Sequence, residues 1–359
     1  MKIGLVGCGA IAPAHLHAWL KTDGATVAGV FDLDRALADK RATEFSIPKI
    51  YERLEQLLDD CDVVDVCTPP HTHGSIARQV LVANRHLLIE KPVVIGVHEW
   101  EGIAAAAKQS RAKLAVIHNL KFAQSVRTAK KWVDDGRIGD IIRVQREFLT
   151  NPETDRMLVG NKHWSHRLPG GRWFETLPHE LYLTHWFAGA MTPTHAAIAS
   201  TPTAPPGAPA DEVVLTLAGD RALATIHFSA NCAVNRRVFT LQGSLGQIQV
   251  DILSDLATVQ TIKDARWSRA AGRPLLAAGQ TLLQGVGDRS MYGWRRLRGE
   301  SPHVRAVHAF ADYVQDRAES PTPLDEIEYV VVNCDRIGRM IDARLREIGK
   351  VPSSERVHA

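Results

Sequence analysis

A short glycine pattern near the start of the chain has the residue types and spacing of a phosphate-binding turn. Residues 7–12 read Gly-Cys-Gly-Ala-Ile-Ala and directly follow an apolar run, Lys2–Val6. In such a pattern Gly7 permits a tight turn, Gly9 lets the main chain approach a pyrophosphate, and Ala12 lets the next helix pack closely. The free amides at the start of that helix favour an anion. The predicted dinucleotide-binding residues here are Gly7, Gly9, Ala10, Ile11 and Ala12.

A carboxylate follows the glycines after about twenty residues, the usual spacing in such sites. Asp32 ends a second apolar run, Thr26–Phe31. It can accept hydrogen bonds from the ribose hydroxyls of NAD and would repel the 2′-phosphate of NADP. Asp also favours turns, so it could instead only begin a turn after the strand. The upstream glycines favour the cofactor role and NAD, although Arg35 is close enough in sequence to neutralise a 2′-phosphate, which leaves NADP open.

Two further polar segments follow apolar runs. Thr68-Pro69-Pro70-His71-Thr72-His73 follows Val63–Cys67, and Glu90-Lys91-Pro92 follows His86–Ile89. Both segments are therefore expected at the carboxyl ends of strands, the edge at which doubly wound sheets bind their ligands.

A third polar segment, residues 169–179, reads Pro-Gly-Gly-Arg-Trp-Phe-Glu-Thr-Leu-Pro-His. If Phe174–Phe187 is helical, Glu175, His179 and Tyr182 fall at positions i, i+4 and i+7 of one helix face. That face would present an acid, an imidazole and a phenol to one pocket.

The elements that must position these residues alternate in the first third of the chain. Apolar runs separated by helix-like segments are typical of βαβ units and predict a parallel sheet that is buried on both faces. Right-handed crossovers would make it a doubly wound Rossmann sheet. The predicted strands are Lys2–Val6, Thr26–Phe31, Val63–Cys67, His86–Ile89 and Lys113–His118.

The pattern changes after about residue 120, where strand-like runs with alternating polarity predominate. They predict a second, α+β domain with a largely antiparallel open sheet. The predicted strands of this sheet are Ile141–Leu149, Glu212–Leu217, Leu223–Phe228, Arg237–Leu241 and Gly246–Ile252. Thr201–Pro209 is expected to be a loop, and a helix pair around Arg305–Arg317 and Glu326–Ile348 to close the fold. The expected domains are residues 1–121 for the Rossmann domain and 122–348 for the substrate-binding and oligomerisation domain, with a flexible polar tail at 349–359.

Taken together, these motifs resemble the Gfo/Idh/MocA family, to which glucose-fructose oxidoreductase and inositol dehydrogenase belong. The resemblance covers nearly the whole chain, and although Glu-Lys-Pro alone is a chance-prone tripeptide, its register with the other motifs makes the signal strong. The motifs are the glycine fingerprint followed by His15, Thr68–His73, Glu90-Lys91-Pro92, Asn119-x-Lys121-Phe122, Gly136-x-x-Gly139, Gly170–His179 and Gly243-Ser244-Leu245-Gly246.

The resemblance implies a catalytic lysine at Lys91, with Glu175 and His179 working beside it near the substrate hydroxyls. An ammonium can polarise a reacting alcohol, and imidazole titrates in a range that suits proton transfer near neutrality, so His179 is the expected base. Further cofactor contacts are expected from Thr68, Pro69, His71, His73, Glu90 and Lys91. Substrate contacts are expected from Asn119, Lys121, Trp164 and Tyr182.

The sequence departs from the family pattern around Glu175, where the usual acid is Asp. A Gly is common at the Leu177 position and a second Asp at the Tyr182 position. His163, His166, Glu180 and His185 add imidazole and carboxylate donors of the kind that suit Zn, Mn or Fe. No standard metal spacing is present, so surface or substrate-binding histidines are favoured and no metal is predicted. The basic, aromatic segment Arg266–Arg298 matches the family poorly.

The favoured function is that of an NAD(P)-dependent oxidoreductase that transfers hydride between nicotinamide and a secondary hydroxyl of a sugar, a sugar derivative or a cyclitol. An alternative is a redox-neutral enzyme that retains NAD and catalyses elimination, epimerisation or glycoside cleavage through a transient keto-sugar, with or without a metal. A third hypothesis is an NAD-binding sensor without turnover, against which the intact Glu90-Lys91-Pro92 and His179 argue.

Composition limits the remaining classes of function. With 43 basic and 40 acidic residues in 359, the net charge of +3 lacks the clustered excess of a nucleic-acid binder. No apolar stretch approaches the ~20 residues needed to span a bilayer, and no secretory leader precedes the first strand. Five cysteines without a C-x-x-C pair fit a reducing cytoplasm. The expected partners are a small carbohydrate or cyclitol and further copies of the chain, as a homodimer or homotetramer.

Overall fold

The computed structural model describes residues 1–155, 163–201, 210–262, 279 and 301–350. They form two compact units, one within Met1–Phe122 and Gly299–Val332, the other within Ala123–Arg298 and Asn333–Ala359. Apart from Gly279, the segment Arg266–Arg298 lies outside the described residues. So do most of the expected loop Thr201–Pro209 and the end of the expected tail.

The first unit is built on a five-stranded sheet in the order β2-β1-β3-β4-β5, in which every neighbouring pair is parallel. This confirms the predicted doubly wound sheet. The strands are β1 (Lys2–Val6), β2 (Thr26–Phe31), β3 (Val63–Val66), β4 (His86–Ile89) and β5 (Leu114–Val116).

Helices cover both faces of this sheet, as the strands' nearly continuous apolar runs require. In chain order, the helices of the described residues are α1 (Ala12–Trp19), α2 (Arg35–Phe45), α3 (Leu54–Asp60), α4 (Pro70–Val82), α5 (Val97–Gln109), α6 (Gln124–Asp134), α7 (Trp173–Ala188), α8 (Pro302–Val314) and α9 (Leu324–Glu347). Short 3₁₀ turns occupy Asn119–Phe122 and Trp164–Arg167.

The division of the chain differs from the expected boundaries in one respect. Residues 299–332 were expected in the second domain, whereas α8 belongs to the first unit. The physical reason is the apolar face of α1. Val307 and Phe310 of α8 are buried in one core with Leu16 and Trp19, and the Trp19 and Phe310 rings meet edge to face with centroids 6.4 Å apart.

The second unit contains a seven-stranded sheet in the order β12-β11-β10-β6-β9-β8-β7. All its neighbouring pairs are antiparallel except β6 and β9, which run parallel, so the expected largely antiparallel sheet is confirmed. Its strands are β6 (Ile141–Leu149), β7 (Thr192–Ala199), β8 (Glu212–Ala218), β9 (Leu223–Ser229), β10 (Arg236–Gly243), β11 (Gly246–Asp251) and β12 (Leu256–Thr261). Among the described residues, no helix has the length and apolar character to cross a membrane.

Candidate active site

The turn after β1 has the backbone geometry that its glycines predicted. Gly7 has φ +94° and donates its N–H to the carbonyl of Phe31 at 2.8 Å. A Cβ at Gly7 would lie 2.8 Å from atoms of Thr68, so only glycine fits. A Cβ at Gly9 would meet no atom within 4 Å, whereas Ala12 is fully buried where α1 begins. The main chain at Gly9 therefore borders open space, as a phosphate cradle requires.

Asp32 ties the end of β2 to this turn. Its Oδ2 accepts the Cys8 N–H at 2.6 Å and its Oδ1 accepts the Asp34 N–H at 2.8 Å. The carboxylate thus has a structural role in shaping the turn. Each carboxylate oxygen can accept a second hydrogen bond, so this role leaves room for ribose hydroxyls.

Arg41 on α2 also holds the turn, a role that sequence reasoning missed. Its Nε donates to the carbonyl of Cys8 and its Nη2 to that of Gly9, both at 3.1 Å, and the side chain is largely buried. Its only sequence signal is one more arginine on a charged helix. Arg35 instead pairs with Asp39 at 3.0 Å, on the exposed side of the same helix.

The segment after β3 is joined to the segment after β4 by a buried histidine. The ring nitrogens of His73 lie 2.7 Å from the carbonyl oxygen of Thr68 and 3.0 Å from that of Pro92. Burial lowers the pKa of this imidazole despite those contacts. His73 therefore braces the two segments, whereas His71 is exposed in the first turn of α4.

Glu90 is almost completely buried and fixes the main chain of its neighbour. One carboxylate oxygen, Oε2, accepts the Lys91 N–H at 3.0 Å, and the other lies 2.9 Å from Nε2 of His15. Lys91 is half-buried, and its peptide bond to Pro92 is cis. Glu90 thus anchors the strand end from which Lys91 projects.

Asn119 and Lys121, the expected substrate contacts of this unit, both reach partners from the later part of the chain. The Asn119 amide nitrogen lies 3.1 Å from a ring nitrogen of His303. The Lys121 ammonium donates to Glu326 at 2.8 Å, and His118 contacts the same carboxylate at 2.6 Å. Burial alone would raise the pKa of Glu326, but His118 and Lys121 hold it below its ordinary value.

In the second unit, α7 carries the predicted acid, imidazole and phenol. Oε2 of the buried Glu175 accepts a hydrogen bond from the Thr176 hydroxyl at 3.2 Å. Nδ1 of the half-buried His179 lies 2.8 Å from the hydroxyl of Tyr182, and the two rings meet edge to face. Tyr182 has no exposed surface, so here it orients the imidazole instead of lining an open pocket.

The loop before α7 is held by two glycines and by α9. Gly170 has φ +69°, and its N–H donates to Oδ1 of Asp342 at 2.9 Å. A Cβ at Gly338 would lie 2.9 Å from the side chain of Pro169. This close approach sets where α7 begins and therefore where Glu175 and His179 lie within the second unit.

On β6 and β10, arginine side chains lie opposite phenylalanine side chains of the neighbouring strand. The sequence analysis did not predict this arrangement. Arg146 pairs with Phe239 and Phe148 with Arg237 in the register of the two strands. The Arg146 guanidinium lies 4.7 Å from the Phe239 ring centroid, and that of Arg237 lies 4.4 Å from the Phe148 ring centroid. Arg146 also forms a buried ion pair with Glu180.

His163, one of the histidines considered as metal donors, contacts its neighbours in sequence. His163 Nδ1 lies 2.8 Å from the Ser165 hydroxyl, and its ring lies 4.8 Å from that of Trp164. Over the described residues, sets of donor atoms within 4.8 Å of one another occur instead in the first unit, and His15 belongs to both. They are His15–Asp65–Cys67 and His15–Glu90–His303.

Two family models match the chain in sequence. Residues 1–118 match the model described as oxidoreductase family, NAD-binding Rossmann fold, and residues 126–249 match the GFO/IDH/MocA C-terminal domain. The two matches correspond to the two sheets described above.

Curated relatives match over shorter stretches. The chain is 27% identical over 150 residues to glucose-6-phosphate 3-dehydrogenase of Bacillus subtilis (strain 168), which is 42% of this chain and 43% of that protein. It is 27% identical over 141 residues to inositol 2-dehydrogenase of Rhizobium meliloti (strain 1021), 39% of this chain and 43% of the relative. The matches thus span less than half of either relative.

Solved structures share the fold over nearly the whole chain. The WlbA dehydrogenase from Bordetella pertussis, solved with NADH and UDP-GlcNAcA, superimposes with a TM-score of 0.77 at 18% identity, covering 98% of this chain and 97% of that one. Given both family models and the two sheets that they describe, the chain belongs to the Gfo/Idh/MocA family of oxidoreductases.

Proposed function

We propose that this chain is an NAD-dependent dehydrogenase that transfers hydride between nicotinamide and a secondary hydroxyl of a sugar, a sugar derivative or a cyclitol. The observation that carries the proposal is the shared sheet edge of the first unit. The glycine turn follows β1, Asp32 follows β2, and Lys91 follows β4, all at the carboxyl ends of parallel strands. Doubly wound sheets bind their ligands at this edge.

The residues of the turn fit a dinucleotide. Open space lies over Gly9, α1 offers its first amides, and each Asp32 oxygen keeps the capacity for another hydrogen bond. The charge of Asp32 favours NAD over NADP, and Arg35 is partnered by Asp39. When bound, NAD supplies the hydride acceptor or donor. Thr68, Pro69 and the exposed His71 are proposed as further contacts with it.

Transfer of the substrate's hydroxyl proton is assigned to side chains of this protein. Lys91 polarises the reacting hydroxyl, and His179 removes its proton in oxidation or returns one in reduction. Tyr182 supports His179 by fixing the orientation of its ring through Nδ1. Glu175 and Trp164 are proposed to bind further hydroxyls and a sugar face. The curated relatives named as dehydrogenases of glucose 6-phosphate and inositol support this class of substrate.

The test is absorbance at 340 nm with NAD or NADP and a panel of neutral sugars, sugar acids, sugar phosphates and inositols. A sustained rise with one class of substrate supports net dehydrogenation, and the NAD/NADP ratio tests the role of Asp32. Product formation detected by mass spectrometry without any rise would replace the proposal by the redox-neutral alternative. Absence of both would overturn it.

A further inference from the structure

Three ionisable side chains are buried together beneath the turn that carries Lys91. His15 on α1 lies between two carboxylates: its Nδ1 is 2.8 Å from Oδ2 of Asp65 and its Nε2 is 2.9 Å from Oε1 of Glu90. His15 and Asp65 are fully buried, and Glu90 is 5% exposed. Trp19, one helical turn after His15, donates its indole N–H to the same Asp65 oxygen at 2.7 Å. One carboxylate oxygen of Asp65, which lies inside the apolar strand β3, is thereby shared by an imidazole and an indole N–H.

These contacts define the charge of His15. An ionised carboxylate can only accept hydrogen bonds, so an imidazole with a carboxylate oxygen at each nitrogen satisfies both only as the doubly protonated cation. Burial is the largest single influence and opposes that cation, but Asp65 and Cys67 together outweigh it and raise the pKa of His15 well above its ordinary value. Burial would likewise raise the pKa of Glu90, yet His15 and His303 hold it well below its ordinary value.

The cluster, which we call the His15 triad (Asp65, His15 and Glu90), connects directly to Lys91. Oε1 of Glu90 contacts His15 and lies 3.6 Å from His303, while Oε2 accepts the Lys91 main-chain N–H. A rotated Glu90 would lose this second contact, and a protonated Glu90 would weaken it, because a neutral carboxyl is a poorer acceptor than a carboxylate. The position of the lysine main chain therefore depends on the charge and orientation of a carboxylate that His15 controls.

We propose that His15 is a positioning residue for the reaction assigned above: as the cation between Asp65 and Glu90, it keeps the Glu90 carboxylate ionised and oriented, and so fixes Lys91. The kinetic part of this inference rests on the proposed function, whereas its structural part does not. A misplacement of the reacting group by about 1 Å can cost about a hundredfold in rate. His15 can therefore affect the rate through Glu90, although it does not itself contact Lys91.

Other charged or titratable groups lie around Glu90 and belong to the same electrostatic balance. They are Asp65 and Cys67 at β3, His73 on α4, Lys91 itself, His118 after β5 and His303 on α8. His15 is distinguished from all of them because it alone bonds both buried carboxylates.

The first experiment compares His15→Gln with His17→Gln. Both residues lie on α1, but His17 is exposed. We expect H15Q to lower kcat by about 10- to 100-fold and to leave KM nearly unchanged, with H17Q close to the wild type. We also expect the acid limb of the kcat–pH profile of H15Q to move to higher pH, because Glu90 without its cation takes up a proton more readily. Wild-type kcat and pH profile in H15Q would overturn the inference.

The double variant His15→Gln with Asp65→Asn separates positioning from stability. It removes the carboxylate that H15Q leaves buried without its cation, so the melting temperature is expected to recover. It does not restore the cation beside Glu90, so kcat is expected to stay low and the acid limb to stay shifted. Recovery of kcat together with stability would reduce His15 to a structural role and overturn the inference.

A measurement without turnover keeps this inference separate from the proposed function. Hydrogen exchange in the peptide that contains Lys91 is expected to be faster in H15Q than in H17Q, since the Lys91 amide loses its fixed acceptor. Equal exchange in the two variants contradicts the structural link. Faster exchange in a protein that turns over no substrate would keep the link and reject only the proposed function.

Discussion

At the scale of single residues, Lys91 bears the proposed chemistry most directly. Lys91→Met keeps the length of the side chain and removes the ammonium, so we expect turnover to fall by about 10²- to 10⁴-fold, the range of one acid–base group. NADH affinity, measured by fluorescence titration, should fall much less than turnover, because Lys91 is one of many expected cofactor contacts. Lys108→Met, at an exposed position of α5, is the control. Full activity in the Lys91 variant would remove this lysine from the mechanism.

Arg41 leads to a prediction about the cofactor. Arg41→Gln removes two charge-assisted hydrogen bonds to the carbonyls of the glycine turn, and such bonds contribute about 1.5–3 kcal/mol each. We expect the Kd for NADH to rise at least about tenfold in a fluorescence titration. Arg35→Gln is the matched control on the same helix and should leave NADH binding nearly unchanged. Equal Kd values in the two variants would contradict the role of Arg41.

At the scale of elements, the loop before α7 tests whether close packing sets the position of the candidate site. Gly170→Ala places a Cβ at φ +69° and 3.2 Å from Ile341, while Gly136→Ala has nearly the same φ, +70°, and no atom within 4 Å. The backbone strain, about 1 kcal/mol, is common to both. We therefore expect Gly170→Ala to lower the free energy of unfolding more, as measured by urea titration. Equal losses of unfolding free energy in the two variants would mean that the loop before α7 can shift to accommodate the added methyl group, and that close packing does not fix its position.

How far the sequence predicts these elements depends on how local their signals are. β1, β2 and β4 were predicted with the observed bounds because buried parallel strands are unbroken apolar runs. β7 and β12 were missed: they are the two edges of their sheet, and β7 contains Pro193 and His195 between small residues. Edge strands need less apolar alternation, so they leave a weaker pattern.

The candidate site divides in the same way. The segments at the strand ends and the spacing of Glu175, His179 and Tyr182 could be predicted because each depends on neighbours in sequence. Arg41 and His303 could not, since their partners lie far along the chain. The His15 triad was not predicted, although two local signals could have found it: an aspartate in the middle of an apolar strand, and a histidine and a tryptophan one helical turn apart on α1.

At the scale of the whole molecule, the buried ionisable groups predict how stability depends on pH. Burial lowers the pKa values of His73, His86 and His118 from 6.5, so below about that pH the unfolded chain binds protons that the folded chain does not, and stability falls. Glu326 adds a second loss of stability below about pH 4.5, because the stabilisation that its lowered pKa provides disappears as the carboxylate becomes protonated. His15 acts oppositely: its raised pKa adds stability at low pH that is lost as pH rises through the folded value.

We therefore expect the urea midpoint to decrease from pH 8 to pH 5 and to decrease again below pH 4.5. His86→Gln should flatten the first decrease, because it removes one of the three histidines whose pKa is lowered by burial. His98→Gln, at a fully exposed position of α5, is the control. A midpoint that rises steadily on acidification would show that His15 outweighs the other groups.

Helix α8 belongs to the first unit but lies late in the sequence, which has a consequence for folding during synthesis. A chain that has left the ribosome only as far as Phe122 contains all five strands of the first sheet, yet the face of α1 that α8 covers is still exposed to water. Trp19 and Leu16 lie on that face, and the partners that bury them, Val307 and Phe310, are synthesised some two hundred residues' worth of elongation later, roughly 10–40 s at ordinary rates. During that interval the nascent nucleotide-binding unit exposes an apolar surface of the kind that chaperones bind.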